Sequence, residues 1–165
     1  NKNYKVFPEE NINTFGKVRA IIGVGENKLR YRIYQRNKKS KNIIWEKIIS
    51  KKAILQNDVQ IGEGTIVMPG AIINCNSIIG SHCVINTGSL VEHNNVINEF
   101  STISPKACTG GNVKLGKFST VGLGSIVKNN IKIGNDVFIG SSSYVNKDCL
   151  NKGKFVGVPI KKTSL

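Results

Sequence analysis

A repeat of six residues dominates the sequence between residues 55 and 145. Every sixth position in this stretch is aliphatic except Thr109, and the frame never shifts. The positions of the repeat are Leu55, Ile61, Val67, Ile73, Ile79, Ile85, Val91, Ile97, Ile103, Thr109, Leu115, Val121, Val127, Ile133, Ile139 and Val145. Amphipathic helices place apolar residues three and four apart, and half-buried strands place them two apart. The period of six therefore points to a repeat architecture rather than to a helical bundle or a simple sheet.

Two neighbouring positions of each hexad follow the same period. Two residues before the aliphatic position the residue is mostly small, as at Ala71 and Ser89. One residue after it Gly or Asn predominates, as at Gly62, Asn74 and Gly116. Gly and Asn tolerate a positive φ, so this position predicts a turn. Each hexad is interpreted as one short strand and one corner, with its aliphatic side chain pointing inward.

Three hexads make one triangular coil, so residues 18 apart are predicted to stack. Successive coils then pair as parallel strands about 4.8 Å apart. Such a solenoid cannot bury its own edges, so association with other chains is expected. We assign residues 51–150 to this parallel β-helix and residues 151–165 to a C-terminal tail.

Residues 1–50 have a different pattern. Residues 19–22 and 42–45 predict two strands, and residues 26–36 predict a helix between them. This strand–helix–strand order is typical of a small α/β unit. It is too short for a complete Rossmann-like domain, so the sequence predicts an incomplete α/β unit ahead of a mainly β chain.

Composition excludes several classes of function. The formal charge of +14 is scattered, and the one basic run, residues 36–41, contains no aromatic residue. We find no nucleic-acid-binding module and no signal peptide or membrane-length apolar run. The four cysteines form no C-x-x-C pair and there are only two histidines, so we expect no metal site. Unpaired thiols favour a cytoplasmic location.

Several segments resemble the hexapeptide-repeat sugar acetyltransferases. The most specific are residues 61–71, residues 85–93 and the closing Gly157-Val158-Pro159. The resemblance implies that the β-helix is left-handed and that the chain is an acetyltransferase using acetyl-CoA without a metal. It also implies a homotrimer, with acyl-CoA bound between neighbouring β-helices.

Residues 21–30 narrow this resemblance to one subfamily. They are similar to the second half of the nucleotide-sugar-binding domain in bacterial nucleotide-amino-sugar N-acetyltransferases and sialic acid O-acetyltransferases. The first strand and the glycine-rich turn of that domain would lie upstream of Asn1. The acceptor implied by the resemblance is therefore a nucleotide sugar or a sialic acid.

The resemblance also implies roles for individual residues. His93 matches the histidine of a Val-Glu-His motif that acts as the general base, and Asn86 matches an asparagine near that base. Gly111 follows His93 by 18 residues, so the coil length predicts that the two stack. The N–H of Gly111 would then face the thioester carbonyl. Leu123 and Ser141 match positions that line the acetyl-CoA groove.

Two positions depart from the family pattern. Relatives usually carry Asp or Glu directly after the catalytic histidine, where this chain has Asn94. They also carry a histidine that contacts the acetyl group. Thr102 takes that position here, so the resemblance implies that Thr102 contacts the cofactor. A neutral amide orients an imidazole but supplies no charge to stabilise its cation. His82, the other histidine, lies in an ordinary turn and is expected to be structural or exposed.

Three functions remain open from the sequence. The leading one is N-acetylation of a nucleotide-linked amino sugar, with His93 as general base. O-acetylation of a sialic acid uses the same base chemistry. A non-catalytic binding or scaffold module is the third, and Asn94, Thr102 and the incomplete front unit favour it.

Overall fold

Short parallel strands wind into a three-sided prism in the computed structural model, which describes residues 5–163. Strands pair with those one coil away: Leu90 lies opposite Ile72 on one side and Cys108 on the other, 18 residues in each direction. The predicted coil length and the predicted left-handed parallel β-helix in a mainly β chain are confirmed. The extreme ends of the predicted front unit and tail, residues 1–4 and 164–165, lie outside the described residues.

The prism has three faces, which we number in the order in which one coil visits them. Face 1 contains β4 (Ile54–Leu55), β7 (Ile72–Ile73), β10 (Leu90–Val91), β13 (Cys108–Thr109), β16 (Ile126–Val127) and β19 (Tyr144–Val145). Face 2 contains β5 (Gln60–Ile61), β8 (Ile78–Ile79), β11 (Val96–Ile97), β14 (Lys114–Leu115) and β17 (Lys132–Ile133). Face 3 contains β3 (Ile48–Ile49), β6 (Ile66–Val67), β9 (Val84–Ile85), β12 (Thr102–Ile103), β15 (Thr120–Val121), β18 (Val137–Ile139), β20 (Gly153–Val156) and β21 (Lys161–Lys162).

A small strand–helix–strand unit precedes the prism. After a 3-10 helix, Glu9–Thr14, it consists of β1 (Val18–Ala20), α1 (Asn27–Asn37) and β2 (Ile43–Trp45). β1 and β2 form a parallel pair. The predicted order of elements is therefore present. The boundaries of the predicted domains stay predictions, although β3 already pairs with β6 on face 3.

The aliphatic repeat forms the interior of the prism. From Val67 to Val145 the repeat positions are all buried, Thr109 included. The small residues two positions earlier are buried as well and line the inside of the corners. Where they carry a hydroxyl it commonly donates to a carbonyl 15 residues further on, as from Ser101 to Gly116 at 2.7 Å and from Ser125 to Gly140 at 2.7 Å. These bonds satisfy polar groups that would be costly to bury unpaired.

The position after each repeat residue is small for a different reason from the one predicted. Positive φ values occur two residues after this small position, as at Asn76 and Asn94 with φ of 57° and 58°. At Gly80 and Gly110, a Cβ would lie 2.7 Å and 2.6 Å from backbone nitrogens of the next coil. Close stacking of coils, rather than the turn conformation, therefore favours glycine at this position.

Arg30 docks α1 onto the prism. Its side chain is fully buried, and its Nε donates to the carbonyl of His82 at 2.7 Å. Its Nη1 donates to the carbonyls of Val24 and Gly25, and its Nη2 donates to Asn27 Oδ1 at 2.7 Å. None of these acceptors is a carboxylate. Burial of the guanidinium lowers the pKa of Arg30 from its ordinary value.

Aromatic rings form the second contact between α1 and the prism. Phe100 stacks on His82 with ring centroids 4.9 Å apart, and on Phe118 at 5.7 Å. Tyr31 meets Phe100 and Phe118 edge-on, and Tyr34 packs against His82 at 4.5 Å. His82 is therefore a buried structural residue. Of the two alternatives that the sequence left open, structural or exposed, the first is correct.

Candidate active site

His93 lies at an exposed corner between faces 1 and 2, which we call the His93 ridge. The same ridge position on the other coils carries Asn57, Cys75, Gly111, Asn129 and Lys147. A Cβ at Gly111 would lie 2.7 Å from both Cε1 and Nε2 of His93. The imidazole therefore lies directly against the Gly111 backbone, as the 18-residue spacing predicts. The N–H of Gly111 donates to no acceptor within the described chain.

Asn94 touches the imidazole from the neighbouring turn position. Its side-chain nitrogen lies 3.1 Å from Nδ1 of His93. An amide at this distance controls which ring nitrogen carries the proton, because Nδ1 accepts from an amide N–H and donates to an amide oxygen. Only the second arrangement leaves a lone pair on Nε2.

Glu92 does not substitute for the missing carboxylate beside His93. Its Oε2 accepts a hydrogen bond of 2.9 Å from Asn74 Nδ2, one coil away. This contact is consistent with the strand alternation that points Glu92 away from the ring. His93 is therefore supported by an amide alone.

Leu123 and Ser141 lie on a different corner, between faces 3 and 1, which we call the Leu123 ridge. Both are exposed, Leu123 by 53%. Their coils stack directly, since the N–H of Ser142 donates to the carbonyl of Leu123 at 2.8 Å. Within one chain, the whole of face 1 separates this pair from His93. The two ridges can meet only between copies.

Asn86 and Thr102 belong to face 3 and its edge rather than to the His93 ridge. Asn86 begins the Leu123-ridge corner after β9, and its Oδ1 accepts from the N–H of Thr87 at 2.8 Å. Thr102 is only 8% exposed beneath α1 and donates to Asn27 Oδ1 at 2.8 Å. The structure does not bring Thr102 to His93, so its predicted contact with the cofactor stays a prediction.

A cleft beside the start of α1 was not predicted from the sequence. It has a volume of about 450 Å³ and is lined by the first turn of α1, by the outward side of face 3 and by Asn86. Asn27 forms part of its wall and donates to Thr120 Oγ1 at 3.0 Å. The available signal was the polar pair Thr102 and Thr120, which interrupts an outward row on face 3 that is otherwise apolar from Ile48 to Phe138.

Within residues 5–163, no group of three His, Cys, Asp or Glu side chains is arranged to hold a metal ion. Over the same residues, no helix has both the length and the hydropathy needed to span a bilayer.

The sequence and the fold match known proteins. Residues 58–93 match the family described as bacterial transferase hexapeptide (six repeats). A search of curated proteins finds no significant match. Among solved structures, PerB from Caulobacter crescentus, in complex with CoA and GDP-perosamine, is 29% identical with a TM-score of 0.86. The alignment covers 88% of this chain and 70% of PerB.

Two further structures have related descriptions. The acetyltransferase domain of PglB from Neisseria gonorrhoeae, in complex with acetyl coenzyme A, is 25% identical with a TM-score of 0.84, covering 87% of this chain and 69% of that one. A variant of the N-acyltransferase AntD from Bacillus cereus, with dTDP and coenzyme A, is 25% identical with a TM-score of 0.63. That alignment covers 72% of this chain and 81% of AntD.

The repeat, the fold and these neighbours match the hexapeptide-repeat sugar acetyltransferase family, as the sequence predicts. They support the assignment of this chain as an acyltransferase.

Proposed function

We propose that this protein transfers the acetyl group of acetyl-CoA to the amine of a nucleotide-linked amino sugar, with His93 as general base. The observation that carries the proposal is the exposed imidazole of His93 lying against Gly111, whose N–H has no acceptor among residues 5–163. A base and a hydrogen-bond donor on adjacent coils are the two groups that acyl transfer requires.

The proposed reaction proceeds by direct attack of the amine on the thioester. The amine nitrogen forms a bond to the acetyl carbon, and His93 accepts the proton that the nitrogen loses. The N–H of Gly111 donates to the carbonyl oxygen as negative charge develops on it. Collapse of the intermediate breaks the carbon–sulfur bond, and the CoA thiolate takes the proton from His93 as it leaves, which restores the neutral imidazole. In this scheme the Asn94 amide turns its oxygen to Nδ1–H of His93, so that Nε2 keeps the lone pair that accepts the proton.

A homotrimer completes the site in this proposal. The outward positions of face 1 are apolar on every coil, and Ile126 is 53% exposed. They are Ile54, Ile72, Leu90, Cys108, Ile126 and Tyr144. Long apolar surfaces of this kind are usually covered by a partner. If face 1 of each copy lies toward a threefold axis, the His93 ridge of one copy meets the Leu123 ridge of the next.

Acetyl-CoA suits the groove between those two ridges. The exposed Leu123 offers an apolar contact for the pantetheine arm, and Ser141 stacks one coil beyond it. Three of the solved neighbours bind CoA, acetyl-CoA or coenzyme A in the same fold. In this arrangement Leu123 and Ser141 of one copy hold the cosubstrate whose thioester reaches His93 of another.

The acceptor is assigned to the cleft beside α1. PerB binds GDP-perosamine, and the similarity of residues 21–30 to a nucleotide-sugar-binding domain supports the same acceptor class here. Four free cysteines fit a reducing cytoplasm, where we place the reaction. The product would be a building block for polysaccharide biosynthesis.

Release of CoA tests the proposal. Wild-type protein is assayed with acetyl-CoA and a panel of nucleotide-linked amino sugars, free amino sugars and sialic acids. We expect turnover with a nucleotide-linked amine and a loss of about 10³-fold in kcat/KM for His93→Ala. Asn57→Ala, at the same ridge position two coils earlier, is the matched control and should be unaffected. Turnover only with sialic acid would replace N-acetylation by O-acetylation, and no CoA release with any acceptor would favour the scaffold.

A further inference from the structure

Lys106 is the one charged residue on the Leu123 ridge between residues 68 and 142. The other corner residues of the ridge in this interval carry no charge. Lys106 is exposed and forms no salt bridge with any described residue. The first corner of the same ridge carries Lys51 and Lys52, so Lys106 is the one cation along the middle of the ridge. A cation without an acidic partner at this position is suited to meet an anion from outside the chain.

The ridge is shaped to hold the lysine tail in one direction. A Cβ at Gly88 would lie 2.8 Å from Lys106 Nζ and 3.1 Å from its Cδ and Cε, so the tail lies along the Gly88 backbone. Lys106 itself has a φ of 59°, a conformation that favours Gly or Asn. Its side chain packs on Gly88 but makes no hydrogen bond within the described chain, so its ammonium group has no polar partner there.

Lys106 lies near the cleft that is assigned to the acceptor. The cleft is lined by Asn86 and Ser104, which belong to the same ridge corners as Gly88 and Lys106. It also reaches Thr120 and Phe138, on the coils of Leu123 and Ser141, so it runs alongside the ridge rather than at one end of it. The position of Lys106, rather than the direction of its tail, therefore connects it with the proposed acceptor site.

Height along the prism places Lys106 level with the proposed base. In a cyclic trimer whose axis runs along the prism, every copy keeps the same height. His93 lies between the corners at Thr87 and Pro105 along the chain, so it would face this part of the neighbouring ridge. The Lys106 ammonium then lies near both the transfer site and the acceptor cleft.

We infer that Lys106 binds a phosphate of the nucleotide carried by the acceptor, and so selects nucleotide-linked sugars over free ones. This inference rests on the proposed function. An ammonium is a flexible point charge that recognises phosphate without demanding a planar geometry. The phosphates of CoA offer the same chemistry, and the experiment separates the two sources.

Binding of nucleoside diphosphates tests the inference without relying on turnover. Titration calorimetry measures the Kd of GDP, of dTDP and of CoA for wild type, Lys106→Asn and Lys106→Arg. Asn suits the left-handed corner, so Lys106→Asn should fold. Lys114→Gln, on the outward side of face 2, removes one charge away from both ridges and is the control.

We expect the Kd of the nucleoside diphosphate that binds to rise about tenfold in Lys106→Asn, with recovery in Lys106→Arg and no change in Lys114→Gln. The KM of the acceptor should rise by the same factor while the KM of acetyl-CoA stays constant. The inference is overturned if Lys106→Asn raises the Kd of CoA alone. It is also overturned if the wild-type enzyme turns over and Lys106→Asn raises the Kd of neither ligand. A wild type that releases no CoA with any acceptor rejects the proposed function instead.

Discussion

His93 and Gly111 are in contact although 18 residues separate them, because one coil of the prism has that length. A Cβ at Gly111 would lie 2.7 Å from two ring atoms of His93, closer than side chains approach one another. The glycine therefore gives the imidazole its resting position. Any larger residue there must push the ring away from the Gly111 N–H.

Gly111→Ala should lower catalytic activity while leaving the stability of the fold nearly unchanged. The ring of His93 is exposed and free to swing, so the fold should tolerate the methyl group. Misplacing a base by an ångström or more should lower kcat about 10- to 100-fold, with the melting temperature nearly unchanged. Steady-state kinetics and thermal unfolding measure both. Gly16→Ala is the control, since a Cβ there meets no atom within 4 Å. Equal kcat in the two variants would argue against a positioned imidazole.

Asn94 should limit the strength of the base. In Asn94→Asp, a carboxylate would accept from Nδ1–H of His93, leave Nε2 free and favour the protonated ring. We expect a several-fold higher kcat/KM and an acidic limb of its pH profile displaced to higher pH. Asn94→Ala removes the 3.1 Å contact and should lower kcat/KM without moving that limb upward. A profile for Asn94→Asp that coincides with wild type would mean that position 94 does not influence the base.

The repeat made much of this arrangement predictable. The hexad frame determines the coil length, the buried ladder and the stacking of Gly111 on His93, all of which depend on residues close in sequence. The burial of Thr102 and His82 was not predictable in the same way. It depends on α1 lying over face 3, through contacts such as Asn27 with the carbonyl of Ser119, 92 residues away. Which outward position a helix covers is not encoded in the repeat.

The sequence pattern also does not show why a small residue follows each repeat position. Sequence patterns show that Gly or Asn is preferred there, but a positive φ and a close backbone approach both favour glycine. Only coordinates distinguish the two. At Gly80 and Gly110 the close approach of the next coil leaves no room for a Cβ, so packing is the reason for glycine.

Face 1 should hold the oligomer together. Ile126→Asp places a charge in the middle of its apolar row, where association would bury it without a partner. We expect the variant to elute as a smaller species in size-exclusion chromatography with light scattering, and to lose CoA release because the two ridges no longer meet. Ile78→Asp is matched in chemistry and similar in exposure, 43% against 53%, but lies on face 2. It should keep the wild-type mass, and dissociation of both variants alike would rule out face 1 as the specific interface.

His82 should make the fold sensitive to acid. Burial, followed by the nearby charge of Arg30, lowers the pKa of His82 from 6.5 to about 4. A lowered histidine pKa means that the folded state favours the neutral ring, so this stability is present above about pH 6.5. It is lost as the pH falls from there toward 4. Between pH 8 and pH 5 the loss should be about 2 kcal/mol in the free energy of unfolding.

Urea unfolding of wild type and His82→Phe at several pH values measures this loss of stability. The phenyl ring keeps the stack with Phe100 but cannot titrate, so the difference between the two proteins isolates His82 from the carboxylates. Parallel pH profiles for the two proteins would show that the buried imidazole is not the source of acid sensitivity.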